Sequence, residues 1–175
     1  MNLSPDPAVA ETVSSAEFRE IMGSFPTGVT VITTLDEAGR PIGLTASAVS
    51  SVSLSPPQLL ICLASDRYTA RAVTKRGRFV VNFLGGDQQA VAERFARHSD
   101  DKFAGLAVRA GEDGLPLIDG ALAHAECVVS KAIPAGDHTV FVGLVVRGTA
   151  GHGAPLMYFR RHYGEWPAPA EEKPT

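Results

Sequence analysis

The residues best suited to touch a ligand lie in one run, Gly43-Leu44-Thr45-Ala46-Ser47-Ala48-Val49-Ser50-Ser51-Val52-Ser53-Leu54-Ser55-Pro56-Pro57. Five serines and one threonine stand there among alanines and valines. A strand that only fills a core carries Ile, Leu and Phe at its inward positions. Small hydroxyl side chains leave backbone bare instead. Such a surface admits a flat ligand closely, with hydroxyls and N–H groups bonding its polar edge. A serine-rich edge strand facing solvent fits the same composition, and composition alone favours it. Taken singly, His138 reads as a strand-end histidine bonded to backbone. Arg67 reads as an exposed loop cation, and Tyr163 equally as a barrel plug or as one wall of a site.

The missing motifs narrow the chemistry. No G-x-G-x-x-G follows a strand and no G-x-x-x-x-G-K occurs, so neither common nucleotide loop is present. There is no H-E-x-x-H and no G-x-S-x-G elbow. His124-Ala125-Glu126 matches half of a zinc deaminase signature, but the P-C-x-x-C half is lacking. No metal site is expected. The adjacent carboxylates Asp100-Asp101 and Glu171-Glu172 sit in polar surroundings and read as solvated.

The 175 residues suit one domain or a domain with an arm. Hydrophobic residues make up 45%, enough for a core. The net charge is −3, with no Lys/Arg cluster to form the basic face that nucleic acid needs. No apolar run approaches the ~20 residues of a membrane span. Residues 1–15 lack a basic start and an apolar core, so no secretory signal is read. Cys62 and Cys127 each lie inside an apolar run and read as reduced and buried, in a cytoplasmic protein.

The elements that must position these residues follow from pattern. Ser14 to Glu17 has capping-box spacing, and Phe18, Ile21, Met22 and Phe25 follow on one helical face. Gly28–Thr34 is β-branched and reads as a strand, turned by residues 36–41 into the serine-rich run as its return strand. Leu59–Ala64 reads as a central strand, and a short helix covers Tyr68–Lys75. Phe79–Leu84 is the next strand, and Asp87 is expected to cap a helix with Val91 and Phe95 inward. Ala121–Ile133 and His138–Val146 form a long hairpin around Pro134–Asp137, and Leu156–Phe159 is a last strand. The total is about seven strands and three short helices, mostly hairpin-linked, which predicts an antiparallel barrel with helices at its rim. Residues 1–13 and 167–175 read as disordered tails around a domain at 14–166.

Four blocks carry a resemblance: Phe25-Pro26-Thr27-Gly28-Val29; Thr45-Ala46-Ser47 running to Ser53-Leu54-Ser55-Pro56-Pro57; Gly77-Arg78-Phe79-Val80-Val81-Asn82; and Gly136-Asp137-His138. Asp101-Lys102-Phe103 and Pro155 to Tyr163 add to it. In order and spacing the chain, from Phe18 to Tyr163, resembles the flavin reductase family. These are the small NAD(P)H-dependent reductase components of two-component flavin monooxygenases. The resemblance implies a mainly β fold, an antiparallel Greek-key split β-barrel with short flanking helices, which usually forms a homodimer. It implies FMN or FAD as cofactor and NADH or NADPH as hydride donor. Diffusible reduced flavin would then pass to a separate flavin-dependent monooxygenase.

The resemblance also assigns roles. Thr30, Val31, Thr45, Ala46, Ser47 and Ala48 would lie along the flavin. Cys62, Leu63 and Ala64 would line the same pocket, with Lys102 and Phe103. Arg67 and Thr69 would open a helix toward the phosphate. His138 would orient the dinucleotide, with Tyr163 closing that face. The chain departs from the family pattern at Ala48, Val49, Ser55 and Arg67, around the phosphate end, which leaves FMN against FAD open. The absence of an obvious Arg pair for a 2′-phosphate favours NADH. Two alternatives stand beside this reading: a flavin-retaining oxidase or dehydrogenase on the same barrel, and a non-catalytic flavin- or haem-binding barrel.

Overall fold

The computed structural model describes residues 11–99 and 101–166. Most of the two expected tails, residues 1–10 and 167–175, and Asp100 lie outside the described residues. Helix α1 spans Ser15–Gly23. Ser14 caps it, and Ser14 N donates to Glu17 Oε2 at 2.9 Å while Glu17 N donates back to Ser14 Oγ at 3.2 Å. Its apolar residues are not covered: Phe18, Ile21 and Met22, with Phe25 just beyond, are 49–63% exposed.

The strands that follow are β1 (Thr27–Gly28), β2 (Thr30–Leu35), β3 (Pro41–Ala46), β4 (Val49–Leu54) and β5 (Pro57–Ala64). Helix α2 (Tyr68–Arg76) leads into β6 (Arg78–Phe83), and α3 covers Gln89–Ala96. Then come β7 (Val108–Ala110), β8 (Pro116–Ile118), β9 (Ala123–Ala135), β10 (His138–Ala150), β11 (Leu156–Phe159) and β12 (His162–Glu165). Seven strands make one antiparallel sheet in the order β3-β2-β6-β9-β10-β5-β4, and β1-β11-β12 and β7-β8 make two small ones. Among the described residues no helix is long and apolar enough to cross a membrane.

The serine-rich run is not one return strand. It breaks at Ser47-Ala48 into β3, paired with β2, and β4, paired with β5, at opposite ends of the sheet order. Three Cα steps separate Ala46 from Val49, at most about 11 Å. Two sheet edges joined so tightly force the sheet to roll into a barrel. Cys62 N donates to Ala48 O at 3.0 Å, which pins the crossing to β5.

The barrel interior is filled by Ile32, Ile61, Val73, Phe79, Cys127 and Phe141. β2 is buried on both faces, so Val31 points into a second cluster with Leu84, Phe95, Ile118 and Leu156. Asn82 is fully buried at the junction: its amide donates to Val31 O (2.9 Å) and Thr33 Oγ1 (3.0 Å), and its Oδ1 accepts from Ile118 N (2.8 Å). Asp87 does not cap α3. It sits in a single 3₁₀ turn, Gly86–Gln88, and Gln88 precedes the helix. Cys127 is buried as expected, but Cys62 is only half-buried, because β5 alternates and its even-numbered residues face outward.

Candidate functional site

A cleft of about 890 Å³ follows β3 and its crossing into β4. Thr45, Ala46, Ser47 and Ala48 form its first wall. Their packing explains their size. Thr45 Oγ1 donates to Ala92 O of α3 at 2.6 Å, and Thr30 Oγ1 donates to Ala46 O at 2.6 Å. The Thr45 proton is therefore used inside the protein, and Ser47, which is exposed, carries the hydroxyl nearest to it that remains for a ligand.

The end of β5 supplies the second wall, Cys62, Leu63 and Ala64. Leu63 points into the core, so it offers the cleft mainly backbone. Burial, then the charge of Asp137, pushes the Cys62 thiol pKa up, so it is a protonated wall and not a nucleophile. β10 pairs with β5 so that His138 stands opposite Ala64. β9 and β10 are joined by only Gly136-Asp137, with Gly136 at φ 61, the glycine-first placement that tight hairpins favour. His138 Nδ1 lies 2.6 Å from Asp137 Oδ1. A carboxylate only accepts, so Nδ1 carries the proton and Nε2 is left for another partner. That bond holds the Asp137 carboxyl below the usual carboxylate range. Asp137 also accepts Ser65 N on its backbone carbonyl at 3.0 Å, so it both steadies the turn and fixes the imidazole.

Cations occupy the third side. Arg67 precedes α2 with extended backbone and makes no side-chain cap bond, and Thr69 is buried in the first turn. Arg67 Nη1 lies 3.0 Å from His98 Nε2, so that nitrogen accepts and His98 is neutral in this contact. Lys102 Nζ donates to Phe95 O at 2.9 Å and Gly43 O at 3.3 Å. Burial, then the nearby Arg67 charge, holds its pKa below the usual lysine value. Phe103 meets Phe95 edge-on at 5.0 Å and 84°.

Twelve of the residues expected at the site thus line one cleft, from Thr45 to His138. Three do not. Thr30 and Val31 are buried behind the wall, one bonded to it and the other in the second core cluster. Tyr163 packs on Tyr158 at 5.0 Å in that same cluster, away from His138. Asp36, Arg40, Tyr68 and His98, which no motif marks as site residues, also line the cleft. Tyr68 adjoins the expected helix start, whereas Asp36 and Arg40 belong to the turn between β2 and β3 and His98 follows α3, so only Tyr68 had a neighbour in sequence to mark it.

A family model described as flavin reductase like domain matches residues 22–167. The chain is 45% identical over 166 residues to the flavin reductase (NADH) of Kitasatospora aureofaciens, covering 93% of this chain and 86% of that one. It is 40% identical to the reductase component of 4-nitrophenol 4-monooxygenase/4-nitrocatechol 2-monooxygenase from Rhodococcus opacus, covering 90% and 84%. Among solved structures it is similar to the NADH:FAD oxidoreductase of Streptomyces globisporus in complex with NAD and FAD fragments. There the TM-score is 0.84 at 37% identity, over 93% of this chain and all of that one. A family match over nearly the whole split barrel, with the cleft at its seam, places the chain in the flavin reductase family.

Proposed function

We propose that this protein is an NAD(P)H-dependent flavin reductase that supplies diffusible reduced flavin to a separate flavin-dependent monooxygenase. The observation that carries this reading is the cleft itself. Its size lies in the ~300–1,000 Å³ range of small-molecule sites. One wall is bare small-residue backbone, one side is cationic, and a histidine with a fixed tautomer stands at the β10 end. These residues fit a flavin. When bound, the flavin supplies the hydride-accepting centre, so no acid–base dyad is needed from the protein.

Each side chain then has a task. Thr45 to Ala48 let the ring approach the main chain, and Ser47 bonds its polar edge. Arg67 and Lys102 neutralise phosphate. His138 orients the dinucleotide through Nε2, held by Asp137. The donor is NADH or NADPH, and three arginines, Arg40, Arg67 and Arg97, line the cleft that receives it. The flavin leaves after reduction, in keeping with a cleft open along β3. We further read the protein as a cytoplasmic homodimer. Two free thiols suit a reducing compartment, and uncovered apolar surface suits a partner copy.

The test is to mix purified protein with NADH and free flavin and follow absorbance at 340 nm. Many turnovers per protein support the reading. Flavin that stays bound and waits for an organic substrate points to an oxidase or dehydrogenase. No flavin binding leaves a bare barrel.

A further inference from the structure

Arg67 and His98 meet in a way that fixes a proton. A guanidinium only donates, so His98 Nε2, 3.0 Å from Arg67 Nη1, must accept, and the imidazole in this contact is neutral. The two residues come from different elements: Arg67 precedes α2, and His98 follows α3. The contact gives Arg67 a hold that its own turn does not. Arg67 makes no side-chain cap bond, and the carboxylate paired with it, Asp66, stands 4.0 Å from Nε and is 87% exposed.

The groups around His98 are mostly cationic. Among the described residues, Arg67 and Lys102 share its side of the cleft, and Arg97 adjoins it in the chain. Arg97 leans on Glu93 at 3.7 Å, and Asp101 accepts Phe103 N. Arg71 is turned to Asp66 O at 2.6 Å. His138 stands on the β10 wall, bonded to Asp137. A positive charge on His98 would face three others and would turn a donor toward the Arg67 donor. A bound anion reverses that balance. A phosphate oxygen taken by Arg67 Nη1 lies within two hydrogen-bond lengths of His98 Nε2, about 6 Å at most. Phosphate favours charged donors, and histidine is the side chain that changes charge near neutral pH.

We infer that His98 is a proton-linked grip on the ligand phosphate: as a neutral acceptor it positions Arg67, and when the phosphate binds it takes one proton from solvent and donates beside Arg67. The inference rests on the flavin reductase reading above and adds to it a control on release. Affinity for a phosphate-bearing flavin rises as pH falls through the histidine range and slackens above it, and a departing flavin returns the proton. Both side chains reach solvent, so screening holds the effect below the ~tenfold per pH unit that one full proton allows.

Fluorescence titration of the full chain with FAD, without NADH, from about pH 6 to about pH 8 reads the linkage. FAD is the probe because its pyrophosphate keeps its charge there, whereas a terminal phosphate such as that of FMN titrates at pH ~6. The dissociation constant should rise roughly fivefold across that range. Riboflavin, which has no phosphate, should show no such rise. His98→Gln can still accept from Arg67 through its amide oxygen but has no proton to gain, so its FAD profile should stay within about twofold. His98 is exposed, and a melting curve checks that the variant folds. FAD that binds with the same affinity across the range overturns the inference and leaves the flavin reductase reading intact. A rise that persists in folded His98→Gln, or appears equally with riboflavin, also overturns it and gives the proton to another group. If FAD binds at no pH, both readings fall.

Discussion

At His138 a neighbour sets the chemistry. Asp137 holds the proton on Nδ1, so Nε2 is the nitrogen that can meet a dinucleotide. His138→Ala should leave flavin affinity close to wild type and lower kcat/KM for NADH by roughly tenfold, about 1.4 kcal/mol. Steady-state kinetics beside a melting curve checks this. A lowered Tm with unchanged kinetics would make His138 structural. The same variant tests the pair directly. The depressed Asp137 carboxyl stabilises the fold above its unfolded pKa, a contribution lost as pH falls through the folded value. Without His138 its titration by NMR should move upward, toward the ordinary carboxylate range, and that acid-side contribution should shrink. Ser47→Tyr should fold and lose flavin binding, because a phenol fills the space over bare backbone; unchanged affinity in a fluorescence titration would place the flavin elsewhere. His138 and the Thr45–Ala48 wall were legible as residues beside a turn and in a run too small for a core. His98 was not, because a lone histidine in a polar segment carries no spacing signal, and its role appears only with Arg67 3.0 Å away. Tyr163 misled because an aromatic near a chain end suits a lid and a plug alike, and Tyr158 decides for the plug.

At the scale of elements, apolar runs announced β2, β5, β6, β9 and β10, since each is a long stretch with a buried face. The division of the serine-rich run was hidden. β3 and β4 have similar composition, and only the crossing at Ser47-Ala48 shows that they belong to opposite sheet edges. The small pairs β7-β8 and β11-β12 were also partly missed, because strands of 3 or 4 residues lack room for a period. Gly43 shows what the site demands of β3. A Cβ there would stand 2.8 Å from Ile32 O and 3.0 Å from Phe95, whose carbonyl also holds Lys102. Only a bare strand lets α3 approach and set that cation. Asn82 joins β2, β6 and β8 from a position with no exposure. Asn82→Ala removes partners from Ile118 N, Val31 O and Thr33 Oγ1 and leaves a void. It should cost about 3 kcal/mol, seen as a lower urea midpoint at unchanged slope. A loss under about 0.5 kcal/mol would mean that water replaces the amide.

For the whole molecule, the sheet that builds the cleft also has an outer face. In β5 and β10 the inward residues Ile61 and Phe141 are fully buried, while their neighbours alternate outward. Leu60 stands opposite Val142, and Cys62 opposite Val140, so each cross-strand pair shares that outer side and stays partly exposed. The exposed apolar face of α1 adds Phe18, Ile21 and Met22. One chain leaves the α1 face in water and the β5–β10 face partly so, and uncovered apolar surface of this kind marks an interface. The pattern of Leu59–Ala64 announces a strand but not its orientation: a continuous apolar run names both faces of a strand, and only the sheet shows which face the core takes. A two-fold partner would cover the outer face beside the cleft wall at Cys62 and couple assembly to flavin binding. Sedimentation at micromolar concentration should give a dimer. Leu60→Glu places a charge in that interface and should raise the dimer dissociation constant at least about a hundredfold, about 2.8 kcal/mol. Because Leu60 points away from the core, the variant should keep its fold by circular dichroism, and its flavin affinity should fall as the dimer dissociates. A monomer with full reductase activity at that concentration would show that one chain completes the cleft alone.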